Sequence, residues 1–367
     1  MNDDLRDEAA VNGPRSGRRD VGGLIISHYE NKWAFPRWPA VAFYLATSLT
    51  SLPYTDVALS QAREPLEFVQ AIALPGVRGR IDHLDIDVDG ARLFVAALGN
   101  NSVEVIDLRA GRRSSRLEHL RVPQGVAYVP ETKRLFVASG ESGRVDVFAG
   151  NTLSPVGRVD ALDDADNVRY EVASGRLYVG YGSALAVLEA PTLRLVSRIK
   201  LAGHPESFQL ESTGSRIFVN VPDARQIAVV DRKQGNVAAT WELGEMRANF
   251  PMALDEAQHR LFVATRRPAA LLVFDTESGK RVASVPTGGD ADDLFYDGER
   301  KQIYAICGEG VITVVQQQDA DRYVAVGQVR TGPGARTGLF VPGQRTLYVA
   351  VPVQQSAPAE IRVYSVK

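Results

Sequence analysis

One six-residue hydrophobic pattern recurs seven times along the chain. A basic or polar residue is followed by a branched aliphatic, an aromatic, and then small or β-branched residues. The copies are Arg92-Leu-Phe-Val-Ala-Ala97, Arg134-Leu-Phe-Val-Ala-Ser139, Arg176-Leu-Tyr-Val-Gly-Tyr181, Arg216-Ile-Phe-Val-Asn-Val221, Arg260-Leu-Phe-Val-Ala-Thr265, Gln302-Ile-Tyr-Ala-Ile-Cys307 and Thr346-Leu-Tyr-Val-Ala-Val351. Their starts are separated by 42, 42, 40, 44, 42 and 44 residues. A short, nearly continuous apolar run reads as a strand covered on both faces. Self-similarity at a period of about 40–50 residues marks a repeat architecture.

Each unit carries four strand signals. In the first, Leu84-Asp-Ile-Asp-Val88 alternates at period two and Asp89-Gly90 turns. The apolar run Arg92–Ala97 follows, then a turn at Leu98-Gly-Asn-Asn101, a third strand at Ser102–Asp107, and a weaker, polar fourth strand at Arg112–Leu120. The third strand recurs as Val145–Phe148, Ile227–Asp231, Leu271–Asp275, Ile312–Val315 and Ile361–Tyr364. No amphipathic helix separates the strands, which argues against a parallel α/β fold. Four antiparallel strands per unit, repeated seven times, predict an all-β, seven-bladed β-propeller over residues 63–367. The seventh unit stops at Val366-Lys367 after its third strand, and Leu66–Leu74 is a strand without a unit. That orphan strand, about residues 66–74, is expected to join the last blade and close the ring, removing exposed edges.

Residues 1–62 do not repeat and read as a disordered leader with a signal peptide. The stretch Pro39–Leu52 is uncharged and mostly apolar, with Lys32 and Arg37 before it and Ala58-Leu-Ser60 as a small-x-small cleavage site ahead of Gln61. It is too short to span a bilayer comfortably. A signal-like segment at about 32–60 implies a periplasmic or secreted protein, with no transmembrane segment once the signal is removed. Net charge is −2, from 42 basic and 44 acidic residues, which gives nucleic acid no support as a partner. A single cysteine excludes an intrachain disulfide and a cysteine-rich zinc site. A monomer is expected.

The run Arg92–Ala97 followed by Asn101-Ser-Val-Glu-Val-Ile-Asp107 resembles the repeat of the YVTN-repeat, YncE-like propellers. That family pairs a Leu-Tyr-Val-Thr-Asn-like strand with a Val-x-Val-Ile-Asp-like strand. The resemblance covers about residues 64–367, although no unit contains the full Tyr-Val-Thr-Asn. It implies an exported bacterial propeller and implies no particular reaction. The Gly-His and Trp-Asp marks of WD40 repeats are absent.

In a propeller the first strand of each blade lines the central channel. Counting back ten positions from each apolar run gives Asp82, Gln124, Asp166, Glu206, Phe250, Asp292 and Arg336. One position later stand His83, Gly125, Asn167, Ser207, Pro251, Asp293 and Thr337, with Arg80, His204 and Asn249 alongside. These lead-in residues are expected to meet at one channel mouth. Four carboxylates there repel one another, so a cation, shared protons, or Arg80 and Arg336 must offset them. The candidate metal ligands are Asp82, Asp166, Glu206 and Asp292. An all-oxygen set suits Ca²⁺ or another divalent cation, and adding His83 or His204 admits Zn²⁺. The candidate ligand-binding residues are Asp82, His83, Gln124, Asp166, Asn167, Glu206, Asn249, Asp292 and Arg336. The expected function is a binding or scaffold module that takes a small molecule, an ion or a protein on this top face. The alternative is a metal-assisted hydrolase or lyase of the lactonase kind, with His83 or His204 as acid or base.

Other motifs carry less. Asp85-Ile-Asp-Val-Asp-Gly90 begins like a calcium loop, but its twelfth position is Ala96, and strand alternation explains it. Cys307 falls inside an apolar strand and reads as a buried hydrophobe. No Gly-x-Ser-x-Gly elbow occurs, and Gly332–Gly338 has the wrong spacing for a dinucleotide loop. His119 is placed in an outer strand and His259 in a turn, both solvated. The charged turns Asp223-Ala-Arg225 and Arg266-Arg267 could join Arg80 and Arg336 around an anion; solvated surface charge is the plainer reading.

Overall fold

Every apolar run is the second strand of a four-stranded antiparallel sheet. The computed structural model describes residues 64–355 and 357–367, and within them seven such sheets form seven blades. Blade one is built from Leu84–Asp87, Arg92–Ala97, Ser102–Asp107 and Arg112–Leu117, paired in that order. Blade seven is built from Gly338–Val341, Thr346–Val351 and Ala359–Val366, and Leu66–Leu74 is its outer strand. The pairing runs from Leu66 opposite Val366 to Leu74 opposite Ala359. The fourth strand of blade one ends at Leu117, short of the expected Leu120. His119 lies in the turn that follows, exposed, at φ 63°. The signal-like segment and its cleavage site lie outside the described residues.

The apolar core is divided among the gaps between blades. Side chains alternate across a strand, so the second strand of each blade serves two neighbours at once. Leu93 and Val95 pack with Tyr348, Ile361 and Val363 of blade seven. Phe94 and Ala96 point the other way and pack with Val126, Leu135 and Val137 of blade two. The same arrangement fills the remaining gaps, from blades two and three round to blades six and seven. This double duty explains why the repeated stretch is apolar throughout instead of alternating. Its aromatic position is buried in every blade, at Phe94, Phe136, Tyr178, Phe218, Phe262, Tyr304 and Tyr348. Each such ring contributes roughly 1.5–3 kcal/mol of burial.

The arginine that opens the pattern fastens neighbouring blades. Arg92 Nη1 donates to the Gly150 carbonyl, Arg134 Nη1 to Pro191 O at 2.7 Å, Arg216 Nη1 to Thr276 O at 2.6 Å, and Arg260 Nε to Ala320 O at 2.8 Å. Each acceptor lies in the turn after the third strand of the next blade. Blade six has Gln302 at this position, and Arg300 Nε reaches Lys367 O instead, at 3.1 Å. Between blades three and four the direction reverses, and Arg232 of blade four pairs with Glu171 of blade three.

The Asp85–Gly90 segment is strand and turn, as its alternation implies. Asp85 accepts the N–H groups of Ile86 and Tyr128 at 2.8 and 2.6 Å. Asp87 accepts Gly90 N–H and the Arg92 guanidinium. Among the described residues no helix is long and apolar enough to cross a membrane.

Candidate functional site

The lead-in residues converge because their backbones are tied to their own blade and to the next. Within a blade, Asp82 N–H donates to Ala96 O at 2.7 Å, Asp166 N–H to Gly180 O at 2.9 Å and Glu206 N–H to Asn220 O at 3.0 Å. Between blades, His83 N–H donates to Gln124 O, Ser207 N–H to Phe250 O and Asp293 N–H to Arg336 O, at 3.0–3.3 Å. Thr337 Oγ1 donates to Ile81 O at 3.2 Å, carrying the series from blade seven to blade one. A Cβ on Gly125 would stand 2.1 Å from Asp166 O, so that position requires a glycine.

The four expected metal ligands divide into two pairs. Asp82 and Asp292 belong to arginines: Arg80 Nη2 donates to Asp82 Oδ2 at 3.0 Å and lies 3.8 Å from Asp292 Oδ2. Arg266 holds Asp292 from the other side at 2.7 Å, with its guanidinium 3.8 Å from the Phe250 ring centroid. Asp166 and Glu206 belong with His204, and one ligand atom from each of the three lies within 4.8 Å of the others. Arg336, expected to offset the ring, turns aside to Asp290 at 2.9 Å. Arg266 does that work instead. The reason is reach: Arg266 comes off the long second strand of blade five, directly beside Asp292.

The next layer is closed in on itself. His83 Nδ1 lies 3.3 Å from Asp293 Oδ1, and His83 Nε2 lies 3.0 Å from Asn167 Nδ2. Asp293 Oδ2 also accepts Gly338 N–H at 2.8 Å. Two expected ligand-binding residues serve the scaffold. Gln124 Nε2 donates to Ala165 O. Asn249 is fully buried, and its Nδ2 donates to Asn220 Oδ1 and Gln226 O.

Charge follows this geometry. Burial pushes the Asp82 carboxyl up to about 6, against the pull of Arg80. Burial pushes Asp292 upward too, opposed by Arg266 and Arg80. Glu206 rises to about 8 through burial and the neighbouring Asp166 and Asp292 charges. Burial works against the His204 charge, but its bond to Asp166 and the field of Glu206 lift it to about 9. Asp293 lifts His83 to about 10 against a similar burial cost. Five carboxyl groups (Asp82, Asp166, Glu206, Asp292, Asp293) face four cations (Arg80, Arg266, His83, His204), and the proton that Glu206 retains up to about pH 8 balances the fifth. Three buried carboxylate oxygens here accept no hydrogen bond: Asp82 Oδ1, Asp166 Oδ1 and Asp292 Oδ2.

No family model matches the chain. Two curated proteins do, both called uncharacterized protein YncE. The one from Salmonella typhi is 24% identical over 247 residues, covering 62% of this chain and 69% of its own. The one from Salmonella typhimurium is 23% identical over 246 residues, with the same coverage. With seven blades of four strands already in place, the chain is a seven-bladed propeller similar to these YncE proteins. Solved structures agree on the fold alone. Hydrazine synthase of Kuenenia stuttgartiensis superposes with a TM-score of 0.66 at 16% identity, over 76% of this chain and 95% of that one. A chain of the mitotic checkpoint complex superposes with a TM-score of 0.71 at 13% identity, over 89% and 98%. The propeller fold and the likeness to these YncE proteins support a generic scaffold or binding module.

Below the mouth of this YncE-like propeller lies a central channel of about 540 Å³. The register three positions beyond the lead-in residues lines it with Asp85, Ala127, Arg169, Gln209, Ala253, Phe295 and Leu339. Arg169 was not among the sequence candidates. Its signal was available in the same alignment, where it is the one basic residue at that inner register.

Proposed function

We propose that this YncE-like propeller is an exported binding module whose channel mouth takes a divalent cation at Asp166, His204 and Glu206. The observation that carries the reading is the orientation of His204. Its Nδ1 donates to Gly182 O at 3.1 Å, which leaves Nε2 facing Asp166 Oδ2 at 3.7 Å. A metal-ligating histidine characteristically has its second nitrogen fixed in this way. Asp166 Oδ1 is buried without a donor and supplies a further ligand atom. Ligand atoms within 4.8 Å of one another suit a cation bound at 2.0–2.6 Å from each. The imidazole favours Zn²⁺ or a similar transition ion over Ca²⁺. The ion replaces the His204 proton, so binding weakens as pH falls and releases a proton.

Binding is preferred to metal-assisted hydrolysis because neither histidine is available as acid or base. His204 is a ligand in this reading, and both ring nitrogens of His83 are engaged. Export rests on the signal-like segment at 32–60, and amino-terminal sequencing of the mature protein checks it. The metal reading is tested by calorimetric titration of the full chain with Zn²⁺, Mn²⁺ and Ca²⁺ in two buffers of different ionisation enthalpy. Stoichiometric Zn²⁺ binding with proton release, lost in His204→Asn and Glu206→Gln, supports it. Absence of binding, or binding indifferent to both substitutions, overturns it. Turnover of a lactone and ester panel by the loaded protein would replace it with the hydrolase reading.

A further inference from the structure

We infer that the central channel holds a second seat, distinct from the mouth, which takes the carboxylate of a small organic acid on the Arg169 guanidinium. Arg169 is the sole arginine or lysine among the described residues lining the channel. It projects from the first strand of blade three, Val168–Glu171. Its one hydrogen bond donates Nη1 to the adjoining Val168 carbonyl at 3.2 Å, and its guanidinium lies 5.8 Å from the Phe208 ring centroid. A guanidinium carries five N–H donors in a planar fork that matches a carboxylate. The remaining guanidinium N–H groups have no protein hydrogen-bond partner among the described residues, and Arg169 lines the channel.

The nearby acids do not occupy it. Asp85 accepts the backbone N–H groups of Ile86 and Tyr128. Asp293 accepts Gly338 N–H and pairs with His83. Burial lowers the Arg169 pKa, with Asp293 and Asp85 only opposing that fall, as expected of an incompletely compensated cation.

The channel walls determine the rest of the ligand. Tyr170, Phe295, Leu339 and Met252 line the channel with aromatic and aliphatic surface. A carboxylate carried on a small apolar or aromatic body meets both the charge and the walls, and about 540 Å³ is within the range of small-ligand pockets. Access is from the end opposite the mouth, where Val172 lines the channel and is 68% exposed.

The test compares benzoate with benzamide, which has the same ring and no charge, by calorimetry on the full chain. Benzoate is expected to bind at least about tenfold more tightly, the factor a charge-assisted guanidinium bond supplies. Arg169→Gln should abolish that preference, and Asp85→Asn should strengthen benzoate binding by removing a neighbouring negative charge. The preference for benzoate, and its loss in Arg169→Gln, should persist in EDTA, which separates this seat from the mouth cation. Equal affinities for the two probes, no benzoate binding at millimolar concentration, or a preference that survives Arg169→Gln would overturn the inference. Sulfate binding as tight as benzoate would overturn the assignment to organic acids. Should Arg169→Gln fail to fold, the wild-type comparison and Asp85→Asn decide the matter.

Discussion

Replacing Glu206 by Gln should stabilise the protein at pH 8 and above and leave it nearly unchanged below about pH 4.5. Carboxylate oxygens of Glu206 and Asp166 lie within 4.8 Å; two unit charges at that separation repel by about 3.5 kcal/mol at an effective dielectric of ~20. A protonated His204 offsets part of this, but burial and the neighbouring carboxylates still hold Glu206 well above its usual range. The sign follows from the titrations. His204 is raised in the folded state from 6.5 to about 9, so its stabilising charge is fully present below pH 6.5 and lost as pH rises through 9. Glu206 is raised from 4.5 to about 8, so its cost to stability accumulates as pH climbs from 4.5 to about 8 and is constant above that. The two contributions overlap between about pH 6.5 and 8, and both are complete by about pH 9.

The Gln side chain removes the repulsion, which is worth up to about 3 kcal/mol at pH 9. With ~2.1 cal/mol/K per residue of unfolding entropy over roughly 300 residues, that corresponds to about 5 °C in Tm. Differential scanning calorimetry of the full chain in EDTA, at pH 4.5 through 9, measures it. Excess Zn²⁺ added to the wild type should produce a similar gain at pH 8 and above. A Glu206→Gln protein that loses the same Tm at pH 4.5 and pH 9 would refute the reasoning, because Glu206 would then be a structural acceptor.

Arg260 donates to Ala320 O, His259 O and Asp275 from a site 8% exposed; Arg260→Ala should cost about 2–4 kcal/mol and lower Tm by ~3–6 °C. Arg158→Ala, which breaks an ion pair exposed on both sides, should leave Tm nearly unchanged, and equal shifts in the two variants would remove the inter-blade role. Burial pushes the Cys307 thiol up to about 11, so the folded protein at pH 8 should resist a thiol reagent that labels it fully in denaturant; rapid labelling of the folded form contradicts this placement. Gly125→Ala puts a Cβ against the Asp166 carbonyl, so it should lower Tm and weaken Zn²⁺ binding together, measured on one preparation; a fall in Tm with Zn²⁺ affinity intact would show that the contact does not position Asp166.

The scaffold was legible because its physical demands repeat. A strand covered on both faces must be apolar throughout, and seven such runs at even spacing stand out against polar turns. The mouth was half legible. Counting back ten positions found Asp82, Asp166, Glu206 and Asp292, since each lead-in backbone makes similar bonds to its blade. Counting could not show which cation each acid meets, because partners come from neighbouring blades. Arg266 precedes Asp292 by 26 residues and holds it, while Arg336, at the ring position itself, goes to Asp290. Likewise Asn249 resembled a ligand in the alignment but is buried against Asn220. Arg169 lies three positions beyond the mouth residue Asp166, at the inner register, where the neighbouring blades carry no second basic residue.

What repeats and what does not are divided between structure and site. An arginine heads the second strand in five of seven blades, and in four of those its guanidinium serves a carbonyl of the next blade. Such a residue recurs because every blade gap poses the same problem. The lead-in position varies instead: Asp82, Gln124, Asp166, Glu206, Phe250, Asp292, Arg336. Seven equal acids there would repel without creating any preferred corner. The asymmetry splits the mouth into one half neutralised by Arg80 and Arg266 and another where His204 faces two carboxylates. The crowding of carboxyl groups is therefore localised between blades three and four, at Asp166 and Glu206. A cation held there would also neutralise the roof of the channel above Arg169, so the two proposed seats do not compete for charge: one takes a positive ion at the mouth, the other a negative group within.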